Sequence, residues 1–294
     1  MRVLVAGGSG LVGRYIVNGL LEAGYDVTVG GRTPPPEGWF VGQARFVPLT
    51  LDPTAAQAHA FDGADAFVHA ALDHLPGKYR GGEGADPGRF RSLNVDGTIR
   101  VFEKAKAAGV RRCIFLSSRA VYDGLADGLP LIETADLAPN SLYGQAKLEA
   151  EAALARLSAP NFRTASLRLT GVYGDLRPNK WDPLFLDYLA GNPIPSRAGT
   201  EVHGGDVAAV VRLMLQNDEA QGSFNVSDVV TDTATILAPL KALSRCPHPL
   251  PRQADTGAVR EMITSAIHVL GWVPGGEALL LRSLERLAIA YQLP

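Results

Sequence analysis

Residues 1–24 read MRVLVAGGSGLVGRYIVNGLLEAG, and this stretch decides the fold. Arg2–Ala6 is a short β-branched run suited to a strand buried on both faces. Gly7-Gly8-Ser9-Gly10-Leu11-Val12-Gly13 follows at once. Val12, Ile16 and Leu20 then recur every four residues, on one face of a helix. Gly24 closes that helix as its C′ residue. Two spacings fit the glycines, Gly8-x-Gly10-x-x-Gly13 and Gly7-x-x-Gly10-x-x-Gly13, and their physical demand is the same. The chain must turn sharply, let a pyrophosphate approach the backbone, and pack the helix on the sheet. Free N–H groups and the dipole at the helix N-terminus favour the phosphates. A glycine pattern alone is weak. Between a strand and a helix it predicts dinucleotide binding.

The alternation continues outward. Tyr25–Val29, Ala44–Leu49, Ala66–Ala71, Arg112–Leu116 and Thr164–Leu169 read as further strands. Val95, Ile99 and Phe102 make a helical stripe ending at Gly109, and Leu142–Leu157 is a helix with Ser141 as its N-cap. The stretch from Asp73 to Arg91 reads as a mobile loop. Strands alternating with helices predict an α/β protein with a Rossmann-type, doubly wound parallel sheet. From Gly171 the pattern turns irregular and proline-rich. We therefore expect a cofactor domain over 1–170 and a smaller substrate domain over 171–294. Segments near 205–228, with a helix at Asp206–Leu215 and a strand at Gly222–Val226, should return to the sheet.

Composition narrows the class. The chain has 294 residues, 46% hydrophobic and 20% charged, with a formal charge of −2. That argues against a global pull on nucleic acid. No apolar run approaches the roughly 18–20 residues that span a bilayer. The chain enters its first strand with no secretory signal, so a cytoplasmic protein is expected. Cys113 and Cys246 are too few for a disulfide framework or a zinc cage, and no metal is expected.

The second strand ends Val27-Thr28-Val29-Gly30-Gly31-Arg32-Thr33. An acid here would take the ribose hydroxyls of NAD, whereas an arginine suits the 2′-phosphate of NADP. Gly31 leaves room and Arg32 brings a planar cationic fork. NADP(H) is the expected cofactor, and NAD(H) is the alternative.

Ser117 and Ser118 lie at the carboxyl end of the fifth predicted strand, where open α/β sheets bind ligands. Tyr143 and Lys147 stand four apart on a helix and so share a face. An ammonium beside a phenol favours the phenolate and suits Tyr143 to proton transfer near neutral pH. Ser118 could hold the substrate oxygen.

The ordered set VAGGSGLVG, DAFVHAAL, SLNVDGTIRVFEKAKAAGVRRCIFLSSRAVYDG, SLYGQAKLEAE, ASLRLTGVYG, GGDVAAVV, GSFNVSD and LGWVP resembles an extended short-chain dehydrogenase/reductase of the NAD(P)-dependent epimerase/dehydratase type. The resemblance spans most of the chain and implies roles. Gly7, Gly10, Leu11, Val12 and Gly13 would form the pyrophosphate turn. Ala70 and Ala71 would flank the cofactor, with Thr50, Leu51 and Ser117 beside it. Asn94 would hold the catalytic helix and cofactor, and Thr170 would contact the nicotinamide side. Ser118, Tyr143 and Lys147 would be catalytic, Lys147 also reaching the nicotinamide ribose. Such relatives often dimerise through a four-helix bundle that includes the Tyr/Lys helix.

Departures from the pattern concern the substrate. Thr50, with Leu51 and Asp52 beside it, stands where many nucleotide-sugar members place an acidic residue near adenine. Gly171 stands where sugar-nucleotide epimerases often carry Asn, and Gly199 where an Arg for the diphosphate is expected, with Arg197 two residues away. Arg119-Ala120 after Ser118 disfavours dehydration. Basic residues Lys78, Arg80, Arg89, Arg91, Arg119, Arg177 and Lys180 read either as a pocket for an anionic substrate or as solvated surface. Asp73, His74, Arg119, Arg177 and His203 are the substrate-site candidates, and Trp181 could form a lid. The resulting expectation is an oxidoreductase or epimerase moving a hydride between NADP(H) and a hydroxyl or ketone of a sugar-like or anionic small molecule. The alternatives are a nucleotide-sugar epimerase with retained NAD and a non-catalytic NADP sensor.

Overall fold

The computed structural model describes residues 1–75 and 81–291. Its elements run β1 (Arg2–Ala6), α1 (Leu11–Glu22), β2 (Asp26–Gly31), β3 (Arg45–Pro48), β4 (Ala66–His69), α2 (Pro87–Arg91), a π-helical turn (Ser92–Gly97), α3 (Thr98–Ala107) and β5 (Arg112–Ser118). Then come a 3-10 turn (Arg119–Tyr122), α4 (Leu142–Leu157), β6 (Arg163–Leu169), β7 (Gly171–Tyr173), α5 (Asp182–Leu189), β8 (Ala198–His203), α6 (Gly204–Gln216), β9 (Gly222–Val226), β10 (Val229–Asp232), α7 (Thr233–Ser244), α8 (Ser265–Val269) and α9 (Gly276–Ile289).

Seven strands form a parallel sheet in the order β3-β2-β1-β4-β5-β6-β9. Val3, Leu4 and Val5 in β1 are buried on both faces, as the uninterrupted apolar run requires. On one face Ile16, Val17 and Leu20 of α1 pack with Val207, Val210 and Met214 of α6. On the other, Val101 and Phe102 of α3 meet Ala150 and Leu154 of α4. Each fully buried side chain of this size contributes about 1.5–3 kcal/mol relative to exposure. β9 pairs with β6 and extends the sheet.

A three-stranded sheet, β10-β8-β7, lies in the later part of the chain. Tyr173, Trp181, Phe185 and Tyr188 pack there against Leu237 and Leu240 of α7 and Leu280 and Leu284 of α9. No helix among the described residues is long and apolar enough to cross a membrane.

Within the expected loop, the described residues 81–91 include a short helix, α2. Asp86 caps α2 by accepting from Arg89 N, and Pro87 begins the helix. The stripe Val95, Ile99, Phe102 lies on an unbroken helical run whose pairing changes from π to α along it. Val95 belongs to the π-helical turn and the other two to α3. Such turns often mark functional sites. Lys78 and Arg80 lie outside the described residues.

Candidate active site

The strand order reverses between β1 and β4, so their carboxyl ends open a crevice. Gly7 leaves β1 with φ +74°, a backbone conformation that favours glycine. It donates from N to Gly30 O at 2.8 Å and accepts from Gly10 N at 3.0 Å. At Gly13 a Cβ would stand 2.1 Å from Gly7 O, so only glycine lets α1 begin this close to the turn. The crevice is a groove of about 550 Å³, floored by Gly7, Gly10, Leu11, Val12 and Gly13. Arg32, Thr50, Leu51, Ala70, Ala71, Asp73 and His74 line its remaining sides. The predicted cofactor residues around the glycine turn therefore share one cavity. Its glycine cradle and the free N-terminus of α1 fit a dinucleotide pyrophosphate.

Two of the catalytic candidates, Tyr143 and Lys147, adjoin this groove. Ala71 and Leu72 line both the groove and a small recess walled by Asn94, Phe115, Tyr143 and Lys147. Ser141 caps α4 by accepting from Gly144 N at 3.1 Å, which fixes the helix start next to Tyr143. Lys147, one turn later, is buried. Its Nζ donates to Leu116 O at 2.7 Å and lies 4.6 Å from the Phe115 ring centre and 5.8 Å from that of Tyr143. Burial pushes its pKa down to about 8, against a smaller upward pull from Glu151. Ser118 Oγ accepts from Ala120 N at 3.1 Å, leaving its own proton available to another acceptor.

Asn94 acts as a clamp. Its Oδ1 accepts from Asp73 N and its Nδ2 donates to Asp73 O, both at 2.8 Å, with a further bond to Phe90 O at 3.0 Å. The clamp joins the π-helical turn to the loop after β4. Asp73 in turn pairs with Arg32 at 3.2 Å and Arg89 at 3.1 Å.

Other expected residues are engaged elsewhere. Ser117 Oγ donates to Glu151, not toward the groove. Thr170 Oγ1 donates to Thr200 O at 2.6 Å and ties the end of β6 to β8. Arg177 lies 4.5 Å from the Tyr291 ring centre, donates to Leu287 O and faces Asp182, so it braces the later part of the chain. His203 caps α6 through Nδ1 and meets Tyr15 and Tyr173 edge-on. Burial lowers its pKa. Arg119 donates to Arg260 O at 2.8 Å. Trp181 is buried and stacks on Tyr173, a packing role. Among the described basic residues, Arg91 pairs with Glu149 and Lys180 with Glu201.

A buried polar network escaped the sequence reading. Glu151 and Arg168 form a fork-to-fork pair at 2.8 Å, each side chain 5% exposed. Arg168 also donates to Tyr122 Oη, which donates to Asn225 Oδ1. The signal was present: Tyr143, Lys147 and Glu151 are successive i, i+4 positions on α4.

Comparison with known proteins agrees with this geometry. Residues 3–227 match the model described as the NAD dependent epimerase/dehydratase family. A UDP-glucose 4-epimerase of Corynebacterium glutamicum is 26% identical, over 93% of this chain and 91% of that one. A 3-beta-hydroxysteroid dehydrogenase of Mycolicibacterium neoaurum is 32% identical, over 65% of this chain and 53% of that one. Among solved structures, MoeE5 in complex with UDP-glucuronic acid and NAD superposes with TM-score 0.79 at 23% identity, covering 99% of this chain and all of that one (100%). At that identity the likeness concerns the fold.

Proposed function

Because the chain belongs to the NAD dependent epimerase/dehydratase family, nicotinamide-dependent enzymes of the short-chain dehydrogenase/reductase superfamily, we propose that it moves a hydride between NADP(H) and a hydroxyl or ketone of a sugar-like or anionic small molecule. One observation carries the catalytic part: the buried Lys147 ammonium lies beside Tyr143, in a recess that shares Ala71 and Leu72 with the dinucleotide groove. The bound nicotinamide supplies a reversible hydride acceptor. The chain's own groups handle the proton and the orientation. Tyr143 takes the proton of the substrate hydroxyl, or returns it to the carbonyl oxygen. Lys147 favours the phenolate that this requires. Ser118 donates its hydroxyl proton to the reacting oxygen, a proton not used in its bond with Ala120 N. Asn94 holds the loop after β4 against the groove. In this reading residues 1–170 bind the cofactor, 171–294 close on the substrate, and two copies associate through helices that include α4.

The NADP(H) preference is supported by Gly31 and Arg32. No acid ends β2, and a Cβ at Gly31 would meet only Thr33 O at 3.7 Å and Phe46 at 3.8 Å. Glycine at this position is thus not forced by crowding at the Cβ. A second reading, a nucleotide-sugar epimerase with retained NAD, draws on the near-complete length match to the C. glutamicum enzyme.

Two measurements test these readings. Tyr143→Phe should cut turnover by about 10²–10⁴-fold while changing dinucleotide Kd less than about threefold. Retained turnover would refute the catalytic assignment. Arg32→Ala should weaken NADP⁺ binding about tenfold, the loss of a charge-assisted contact, and leave NAD⁺ nearly unchanged. Equal losses for both, or none, overturn the NADP(H) preference. Tightly held NAD⁺ in the purified protein, with a UDP-sugar turned over, would establish the second reading instead.

A further inference from the structure

Three charged side chains converge on the rim of the dinucleotide groove, and their arrangement resembles an anion site already filled from within. Arg32 follows β2, and Arg89 lies on α2. Asp73 stands between them, with Oδ2 at 3.2 Å from Arg32 Nη1 and Oδ1 at 3.1 Å from Arg89 Nη1. Each carboxylate oxygen therefore serves a different guanidinium. All three side chains line the same groove as the glycine turn.

The three partners are not equally fixed. The Asp73 side chain is 20% exposed, and both its backbone groups are bound by Asn94 at 2.8 Å. The arginine side chains are 76% and 62% exposed. Asp73 is thus a fixed anchor, and the arginines are arms that reach it from two separate segments. Exposed pairs of this kind gain little over solvated charges, so another anion can compete for the arms at small cost. A phosphate dianion offers twice the charge of the carboxylate and three acceptor oxygens. Two guanidinium forks from separate elements suit it better than one.

We propose that Arg32 and Arg89 together receive the 2′-phosphate of the dinucleotide, and that Asp73 is the internal anion they leave to do so. Asp73 then sets the strength of the discrimination. It holds the arms over the groove in the cofactor-free protein and competes with the phosphate for them. The inference rests on the NADP(H) reading and extends it from one residue to three. With Asp73 ionised the three side chains carry a net charge of +1. Removing that carboxylate leaves both arms unpaired and doubles the positive charge that meets the phosphate.

The test is equilibrium binding by calorimetry with 2′,5′-ADP and 5′-AMP, which differ by the one phosphate and need no turnover. Asp73→Asn should tighten 2′,5′-ADP by about three- to tenfold and leave 5′-AMP within about twofold. Arg89→Met should weaken 2′,5′-ADP by about five- to tenfold with the same indifference to 5′-AMP. Both effects should shrink at about 0.5 M salt, because both arginines are solvent-exposed. If wild type favours 2′,5′-ADP and Arg32→Met removes that preference, while Arg89→Met and Asp73→Asn change nothing, the clasp is wrong and the NADP(H) reading survives. If wild type binds the two nucleotides equally and Arg32→Met has no effect, the NADP(H) reading fails and the clasp with it. Asp73→Asn that weakens 2′,5′-ADP also overturns the proposal, since Asp73 would then be assisting the phosphate.

Discussion

Lys147→Met should give an inactive protein that is more stable than wild type at neutral pH. The ammonium is held in a buried recess, and burial lowers its pKa from 10.5 to about 8. That drop corresponds to about 3 kcal/mol of unfavourable charge burial. Between pH 8 and 10.5 the unfolded chain holds a proton that the folded chain has released. Wild-type stability therefore rises with pH across that window, and the full cost is present below pH 8. Methionine keeps the buried alkyl stem without the charge. It forfeits the bond to Leu116 O, about 1 kcal/mol, and the attraction of the ammonium to the Phe115 ring, which is of similar size. The expected net gain is about 1–2 kcal/mol at pH 7. By about pH 10.5 most wild-type molecules fold with a neutral amine, and the gain becomes a small loss. Urea denaturation of the cofactor-free proteins at pH 7 and pH 10 measures both, free of the stabilisation that ligand binding adds. A variant less stable than wild type at pH 7, or a difference unchanged between the two pH values, refutes the reasoning. The expected outcome is a local exchange of stability for function, as at other strained or charged sites.

The Glu151–Arg168 pair should behave in the opposite way. Glu151→Ala strands a guanidinium whose side chain is 5% exposed and should cost about 3–5 kcal/mol, read as a lower urea midpoint. Combining Glu151→Leu with Arg168→Met should recover most of that loss, because the stranded charge goes with the pair. At the glycine turn, Gly13→Ala puts a methyl 2.1 Å from Gly7 O and forces the start of α1 away from β1. Dinucleotide affinity should fall more than about tenfold, by calorimetry, while the far-ultraviolet circular dichroism stays that of the wild type.

The features legible in the sequence are those that a short stretch of chain encodes by itself. The β-branched run of Arg2–Ala6, the glycines at 7, 10 and 13, and the four-residue recurrence in α1 each state a local backbone requirement. Tyr143 and Lys147 were found because helical spacing alone puts them on one face. The limit was reached at Val95. Its stripe with Ile99 and Phe102 looks continuous, yet the backbone widens into a π turn there, where Asn94 bonds to Phe90 and to the loop after β4. No local pattern announces a turn whose geometry accompanies bonds to a distant segment.

Local sequence encodes the strand–turn–helix order, the glycine turn and the shared helix face of Tyr143 and Lys147. The tertiary structure alone decided the partners of the charges. Arg177, His203 and Ser117 looked available for substrate or cofactor, and each is taken up by a group far along the chain or on another element: Leu287 and Tyr291, the start of α6 with Tyr15, and Glu151. Conversely Asp73, Arg32 and Arg89, 41 and 16 residues apart, close on one another at the groove. Backbone period and glycine geometry are set by neighbours in sequence, whereas a charged side chain is satisfied by whatever the fold brings within about 3 Å. That choice exists only once the chain has folded.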